Sequence, residues 1–490
     1  MKLLKRKSEN KKFEIDVSHL RWNCPDNTFK FKTTAELEPL NEIVGQKKAI
    51  DAIKIGAELK AKGYNIFVTG LSGTGRTTTV KQILEANATS CPVLYDYCYV
   101  NNFDDTDKPV LLKLYKGKGK KFQNIINDVI TFLKRRIPKL FEESSYQTSR
   151  KKIIENFQDK EQQILFEFDE KIKPFGFIRG QLENEQGYVQ PEVFPLIDGK
   201  PVQIETLEEL ITEGKLTRNS ADKIYKQWKI FHDEIYDLAR LGMKLMQEFR
   251  KELNDHDKNA AEIIVNSAMN EIIEDFPDEK VRKYIEDVKK YILDNLNIFV
   301  QPAVNQNQSS DIYENNKNIE KDLFNVFNVN VICDNSETES APVVIETSPT
   351  YTNLFGTIEK SYDSRGFWKT DFTMIKSGSL LKADQGFLIV NANDLFQEAG
   401  VWQALRRVLL YDKLEIQPFD SYFQISQSAL KPEPIEVNIK VVIIGGQTLY
   451  RLLYNYEKGF KKIFKINAQF DYEHPKTDDK IGRASCRERV

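Results

Sequence analysis

Residues 66–78, Ile66-Phe67-Val68-Thr69-Gly70-Leu71-Ser72-Gly73-Thr74-Gly75-Arg76-Thr77-Thr78, restrict the possible folds more than any other stretch of the chain. The apolar run Ile66–Val68 reads as a buried parallel strand, and Val80, Ile83 and Leu84 within Thr79–Ala86 have helical spacing. Strand, glycine-rich turn and helix in that order form a phosphate-binding loop. Gly70, Gly73 and Gly75 let backbone N–H groups turn inward around phosphate oxygens, and the helix N-terminus adds positive potential. The candidate nucleotide contacts are Gly70, Leu71, Ser72, Gly73, Thr74, Gly75, Arg76, Thr77 and Thr78, with the Thr77 hydroxyl placed for Mg²⁺. Arg76 stands where the pattern calls for lysine. It keeps the charge, but its planar fork is bulkier than an ammonium, so equivalent reach to the β/γ oxygens does not follow from the charge. The loop therefore predicts nucleotide binding more firmly than turnover. A glycine-rich strand-to-helix turn without a ligand is the competing reading; strand, spacing, hydroxyl and helix together favour the phosphate loop.

Composition limits the rest. The chain has 490 residues, 40% hydrophobic and 29% charged, enough for a large core and for two or more domains. A formal charge of -2 gives no global attraction to nucleic acid or to an anionic membrane, so nucleic acid is not a default partner. The five cysteines, Cys24, Cys91, Cys98, Cys333 and Cys486, form no CxxC pair, and His19, His232, His256 and His474 are scattered, so neither zinc nor a disulfide framework is indicated. The basic start Met1–Lys7 lacks an apolar segment behind it and no apolar stretch approaches 18 residues, which predicts a soluble, cytoplasmic protein without a membrane partner. The last eleven residues, 480–490, read like the translation of a common short-read sequencing adapter. That reading makes the natural frame continue past Asp479, and the segment is left out of fold reasoning.

Along the chain, residues 1–30 predict an extended lead-in and 31–122 the first half of the nucleotide-binding core. Within it, Thr33–Lys60 ends in an apolar helical face, Pro92–Val100 is a strand, and Lys108–Phe122, with the basic run Lys116–Lys121, is a hairpin or loop on a solvated surface. Residues 123–297 predict a helical insertion, coiled-coil in part. The series Ile125, Ile126, Val129, Ile130, Phe132, Leu133 and the series Ile235, Leu238, Leu241, Leu245 are each spaced for one buried face, and Phe175–Ile204 makes a break at the tip. Residues 298–325 are a linker, with the polar run Asn305–Asn318. Residues 326–479 supply the second half of the core, with strands at Val329–Cys333, Phe387–Val390 and Ile439–Ile444 and helices at Gln397–Tyr411 and Thr448–Tyr456. The fold class is α/β, a P-loop core interrupted by a long helical insertion, the two halves meeting at one sheet.

Several of these stretches together resemble the Lon-like ATP-dependent protease family, in the branch whose ATPase core carries a long helical insertion. They are Leu37–Leu40 with Ile43–Gln46; Gly63–Val68 leading into the loop; Tyr99–Phe103; Asp334–Ser336; Ala341–Val344; Pro349–Gly356; Asp371–Thr373; Gly378–Val390; and Trp402–Arg407, spread over residues 20–479. The resemblance implies an AAA+-type ATPase that binds ATP with Mg²⁺. It also implies a homo-oligomeric, hexameric ring that feeds protein or peptide substrates to a Ser-Lys serine endopeptidase domain in the complete protein. No segment here supplies that serine and lysine, so no catalytic residue for peptide hydrolysis is named.

Within the resemblance, the strand ahead of the helix Gln397–Tyr411 should end in Asp-Glu, but this chain has Asn391-Ala392. Asn391 is retained as a nucleotide-site residue because an amide oxygen accepts from metal-bound water. Alanine neither orients nor polarises an attacking water, a loss on the order of a hundredfold in rate; Asp394 and Glu398 are the nearby acids. Gly45 and Gln46 resemble the segment near the adenine, or else form a helix-leading turn. Arg406 and Arg407 are candidates for an arginine finger, or for a solvated helix face. Gln447 and Thr448 fall where a sensor group is expected, and Phe367 and Trp368 predict an aromatic grip on substrate or the anchor of a hairpin. Two rival functions remain: a nucleotide-gated scaffold module without turnover, and a transcription-regulating ring ATPase, suggested by Ala383–Gly386.

Overall fold

The computed structural model describes residues 15–21, 46–71, 75–88, 92–183, 189–300, 323–362, 368–417 and 430–473. Gly45, Ser72, Gly73, Thr74, Phe367, the polar run 305–318 and the segment 480–490 lie outside them. In chain order the main elements begin with α1 (Lys47–Glu58), β1 (Ile66–Thr69), α2 (Arg76–Asn87), β2 (Tyr95–Val100) and β3 (Val110–Tyr115). They continue with α3 (Lys118–Glu142), α4 (Ser144–Ile172), β4 (Phe177–Glu183), β5 (Val189–Ile197), β6 (Lys200–Pro201), α5 (Arg218–Asp275) and α6 (Glu279–Asp294). The last group is β7 (Val329–Cys333), β8 (Val343–Glu346), β9 (Phe387–Asn391), α7 (Ala392–Gln397), α8 (Val401–Tyr411), β10 (Lys440–Gly445), α9 (Gln447–Tyr456), α10 (Phe460–Ile463) and β11 (Ile466–Gln469). Two compact units result: the first contains residues 1–101, 105–121 and 329–490, the second 102–104 and 122–328.

The first unit is organised by a five-stranded, all-parallel sheet in the order β11-β1-β10-β9-β8. Parallel strands need both faces covered, and the side chains alternate accordingly. Ile66, Val68, Ile389, Val442 and Ile444 pack with Ala49 and Ile53 of α1 and Val80, Ile83 and Leu84 of α2. Phe67, Leu388, Val390, Val441 and Ile443 pack with α8, Leu453 of α9, and Phe460 and Ile463 of α10. Phe67 is fully buried, its ring 5.2 Å from that of Tyr450 and 5.9 Å from that of Phe460; burial of such a side chain contributes about 2 kcal/mol. The helix that follows β1 thus lies on one face, and the helix that follows the adjacent β10 on the other. Where neighbouring strands send their connections to opposite faces, a crevice opens at their carboxyl ends.

A second, antiparallel sheet, β3-β2-β7, completes the first unit. Its anchor is Asp96, fully buried on β2, whose carboxylate accepts the N–H of Gly119 at 2.8 Å and that of Asn335 at 2.8 Å. The ring of Tyr97 lies in the core while its hydroxyl donates to buried Asp384 at 2.7 Å. Sequence periodicity placed Pro92–Val100 and Val329–Cys333 as strands, and they are; they form this sheet, with only β1 joining the later strands in the parallel one.

In the second unit α4 and α5 run antiparallel. Tyr146 donates to Asp257, the rings of Phe157 and Phe249 stack at 4.3 Å, and Lys171 reaches Glu234 at 2.8 Å. With 58 residues, α5 extends for roughly 87 Å at the α-helical rise. It continues against α6, also antiparallel, where Val281, Tyr284, Ile285, Val288 and Ile292 are buried.

Several local expectations are corrected. Lys108–Phe122 is not a hairpin or loop of its own: Val110–Tyr115 pairs with β2, and the basic run enters α3 at Lys118, with Lys120 bridged to Asp334 at 2.6 Å. The glycine and proline residues of Phe175–Ile204 do more than break a helix, because β4, β5 and β6 form an antiparallel sheet there. Ile235 is buried but Leu241 is 46% exposed, so the series does not share one buried face. Gln397–Tyr411 is two elements, because the helix α7 stops at Gln397 and Gly400 adopts a positive φ of 79° before α8. The lead-in contains a helical turn at Val17–Leu20, capped by Asp16.

Candidate nucleotide site

Of the phosphate-loop residues, Gly70, Gly75 and Arg76 lie at the carboxyl end of β1, beside the end of β10. Gly75 caps α2 in the left-handed region, φ 68°, and its carbonyl accepts the first helical bond from Thr79 at 2.9 Å. Glycine is the residue that takes this conformation without a Cβ penalty. The first-turn N–H groups of α2 have no acceptor within the helix, and Thr77 and Thr78 are exposed beside them. Gly70 is required for a different reason: a Cβ there would lie 2.8 Å from Phe470 Cβ and 3.3 Å from Arg76 Cδ. The chain is therefore close-packed at position 70, against Phe470 and Arg76.

Arg76 reaches across to β10. Its Nη1 donates to the carbonyl of Gly445, the last residue of β10, at 2.6 Å, and Gly445 is in register with Thr69 of β1. Burial holds the guanidinium below its usual pKa, and Tyr472 acts in the opposite direction. One flank of the crevice is closed by the segment after β11. Phe470 N–H donates to Thr69 O at 2.8 Å, while Asp471 N–H donates to Gln46 Oε1 at 2.7 Å and Asp471 O accepts from Gln46 Nε2 at 3.2 Å. Gln46 itself caps α1 with a φ of 56°. It stands at the crevice as a helix-leading turn, its amide paired with backbone.

The other candidates are distributed as follows. Asn391 ends β9 and caps α7, its side chain accepting the N–H of Asn393 at 2.9 Å. Ala392 is fully buried: a Cβ on Gly445 would come within 2.7 Å of its own Cβ, and 2.9 Å from Phe67 Cζ. Gln447, the first residue of α9, has a buried Oε1 with no hydrogen-bond partner among the described residues, two residues beyond the Arg76 acceptor. Arg406 of α8 pairs with Glu457 at 2.8 Å, and Arg407 is exposed. Trp368 lies against Tyr362 across a short antiparallel strand pair, ring centroids 3.7 Å apart and tilted by 35°, and both rings are exposed.

Sequence reasoning missed Gly445, because its contribution is a backbone carbonyl, and it missed Phe470 and Tyr472, because the four-residue β11 gave no periodic signal. A cavity of about 570 Å³ at the opposite, amino-terminal edge of the sheet is lined by Lys60, Lys62, Lys113, Lys413 and Lys440. These cations have local work: Lys440 donates to the Gly56, Ala57 and Leu59 carbonyls at the end of α1, Lys62 pairs with Asp412, and Lys113 lies over Tyr95. Cations at helix C-termini offset the negative end of the dipole.

Residues 339–471 match the family profile described as LonB-like, AAA domain, and residues 96–129 match the Lon-like LonC helical domain. Both matches support a Lon-like AAA+ family. The first match contains β8, β9, β10 and β11, so four of the five parallel strands of this Lon-like chain carry the family pattern. No curated protein matches the sequence. Among solved structures, the crystal structure of NtrX from Brucella abortus is similar at 16% identity with a TM-score of 0.18. It covers 27% of this chain and 27% of that one, and the likeness carries no argument. Among the described residues, no helix is long and apolar enough to cross a membrane and no cluster of His, Cys, Asp or Glu is placed to hold a metal.

Proposed function

We propose that this Lon-like chain is the nucleotide-binding, AAA+-type core of an ATP-dependent protein-degrading assembly, with residues 123–297 as a helical insertion. The observation that carries the reading is the crevice at the switch point between β1 and β10, where Gly70 allows close approach, Gly75 turns the chain into α2 and Gln447 has a buried oxygen without a partner among the described residues. These residues fit a triphosphate. Backbone N–H groups of the loop and the first turn of α2 would hold its oxygens, and Thr77 would contribute a hydroxyl to Mg²⁺. ATP would supply the phosphoanhydride whose binding and loss bias the conformation of the core. In a homo-oligomeric ring, Trp368 and Tyr362 would present aromatic surface to a polypeptide, and flat rings suit contacts that tolerate many sequences.

Titration with a fluorescent ATP analogue and Mg²⁺ tests the reading. Saturable binding is expected, with Thr77→Ala weakening the Mg²⁺-dependent part about tenfold, the equivalent of one lost charge-assisted contact. Folded protein that takes up no nucleotide at any concentration removes the proposal.

A second reading, nucleotide-gated binding without turnover, is favoured by Ala392. Its methyl group is enclosed by Gly445 and Phe67, so no water-orienting acid stands at that position. A steady-state phosphate-release assay separates the two: sustained turnover by the unaltered chain eliminates the scaffold reading.

A further inference from the structure

The sheet β4-β5-β6 that follows α4 has one closed edge and one open edge, and register decides which backbone groups face each. Leu196 N–H donates to Gly176 O at 2.7 Å, so these two residues form a hydrogen-bonded pair. The alternation of an antiparallel ladder gives the same pairing to Ile178 with Phe194 and to Gly180 with Glu192. Phe177, Arg179 and Gln181 therefore aim their N–H and C=O groups away from β5. The prolines of β5 agree with this phase. Pro191 and Pro195 stand opposite Gln181 and Phe177, where β4 requires no N–H from them, and Pro195 O accepts Val202 N–H on the far side at 3.1 Å. Native sheets blunt an exposed edge with proline, a bulge, a charge or a covering element. The far edge of β5 has two prolines, the short β6, and α5, whose Trp228 donates to Glu192 at 3.2 Å. The edge of β4 is different. Its residues Phe177–Glu183 run without proline or break in register, and the outward groups of Phe177, Arg179 and Gln181 have no partner among the described residues. Arg179, the charge that would oppose an incoming strand, is already held on the helical side by Asp169 of α4, at 3.0 and 3.1 Å.

We propose that the open edge of β4 takes up an extended segment of an unfolded polypeptide as an added strand. Main-chain hydrogen bonds to Phe177, Arg179 and Gln181 supply the affinity, and side-chain contacts at alternate positions supply the preference. The strand is fixed for this task, because Phe177 is buried with Phe168 and Phe231 on the helical side. On its other face Ile178 is 46% exposed, with Leu196 and Phe194 behind it, the ring of Phe194 lying where a Cβ on Gly180 would come within 2.7 Å. Apolar residues of the client are favoured there. The ion pairs Arg179–Asp169 and Lys173–Glu170 leave this stretch without net charge, which suits clients of varied sequence. The occupant is a client chain rather than a second copy. A strand pair of seven residues is about 24 Å long and by itself buries less than the roughly 1,000 Å² that a stable dimer needs. The proposal rests on the protein-degrading reading above for its purpose, naming where a client is held, but its test needs no nucleotide, so the two fail separately.

The experiment uses the full chain without nucleotide and follows, by fluorescence anisotropy, a labelled nine-residue peptide of alternating threonine and valine with a lysine at each end. The control is the same peptide N-methylated at three consecutive central amides, which removes donors from both of its edges. Saturable binding of the first peptide is expected, with the methylated one weaker by about tenfold or more, the fold-change of a lost main-chain hydrogen bond. Gln181→Pro removes one outward N–H and leaves the bonds to β5 in place, since an edge strand accepts proline where its N–H faces solvent. It should weaken binding about tenfold, while Gln181→Ala binds as the unaltered chain does and both unfold at the unaltered temperature. If Gln181→Pro unfolds, Ile178→Lys decides, because a charge on the outer face opposes an added strand. Equal binding of the two peptides, or unaltered binding by both Gln181→Pro and Ile178→Lys, overturns the edge site while the protein-degrading reading stands. No uptake of either peptide by folded chain overturns the edge site and leaves the nucleotide reading untouched. A concentration-dependent dimer in sedimentation that Gln181→Pro abolishes assigns the edge to a second copy and overturns the client proposal.

Discussion

Replacing Gly386 by alanine is expected to destabilise the first unit by about 3 kcal/mol or more, the upper range for overpacking in a core. A Cβ at this position would lie 2.1 Å from the carbonyl oxygen of Pro342. The obstacle is backbone, and it is held: Pro342 O accepts from Phe387 N–H at 2.8 Å, while Gly386 O accepts from Lys440 N–H at 3.0 Å. To admit one methyl group, β9 must separate from either its β8 or its β10 side. The conformation is not the cause, since Gly386 is absent from the positive-φ glycines; close approach of two chains is. Denaturant unfolding followed by tryptophan fluorescence measures the effect, because Trp402 is buried in the same core. A midpoint within error of the unaltered protein contradicts the described packing.

Ala392→Glu has the second large effect, and its direction opposes what the motif suggests. By sequence, Glu at this position completes the acidic pair of an ATPase site and should raise turnover. The structure encloses Ala392 on the face of Phe67 and Gly445, so the new carboxylate enters a close-packed interior. Burying an unpaired charge there, or forcing the side chain out by displacing α7, costs about 3–5 kcal/mol. The expected result is a lower unfolding midpoint with no gain in ATPase rate. The loss should shrink as pH falls, because a buried carboxyl has a folded-state pKa above its unfolded one and protonation removes the penalty. An Ala392→Glu protein with unaltered stability and a raised rate of phosphate release would show that the end of β9 opens toward the nucleotide.

Both predictions come from a region the sequence singled out without explaining. The run Gly378–Val390 carried part of the family resemblance, and Phe387–Val390 read as a buried strand, which it is. What the pattern did not reveal is why Gly386 is glycine: Pro342 lies far away in the chain, and nothing local records it. The strand β1 and the helix α2 were legible because their signals are local, within thirteen residues. Arg406 shows the opposite case. Its motif position suggested a finger directed at a neighbour or a solvated helix face, whereas its guanidinium pairs with Glu457, the residue that caps the C-terminus of α9. The short strands Val343–Glu346 and Ile466–Gln469 were not read as strands, because four residues hold too little periodicity to be distinguished from loop.

The sequence by itself determined the α/β class, the strand-then-helix order of β1 and α2, the long apolar-striped helices and the resemblance to the Lon-like family. Those properties follow from backbone preference and from the period with which apolar residues recur. The tertiary structure alone decided the order β11-β1-β10-β9-β8, the enclosure of Ala392 and the direction taken by Arg76. Periodicity states which side of an element is buried but not what buries it. The Arg76 contact makes the reason plain, for its donor and acceptor are 369 positions apart and meet only once the parallel sheet has assembled.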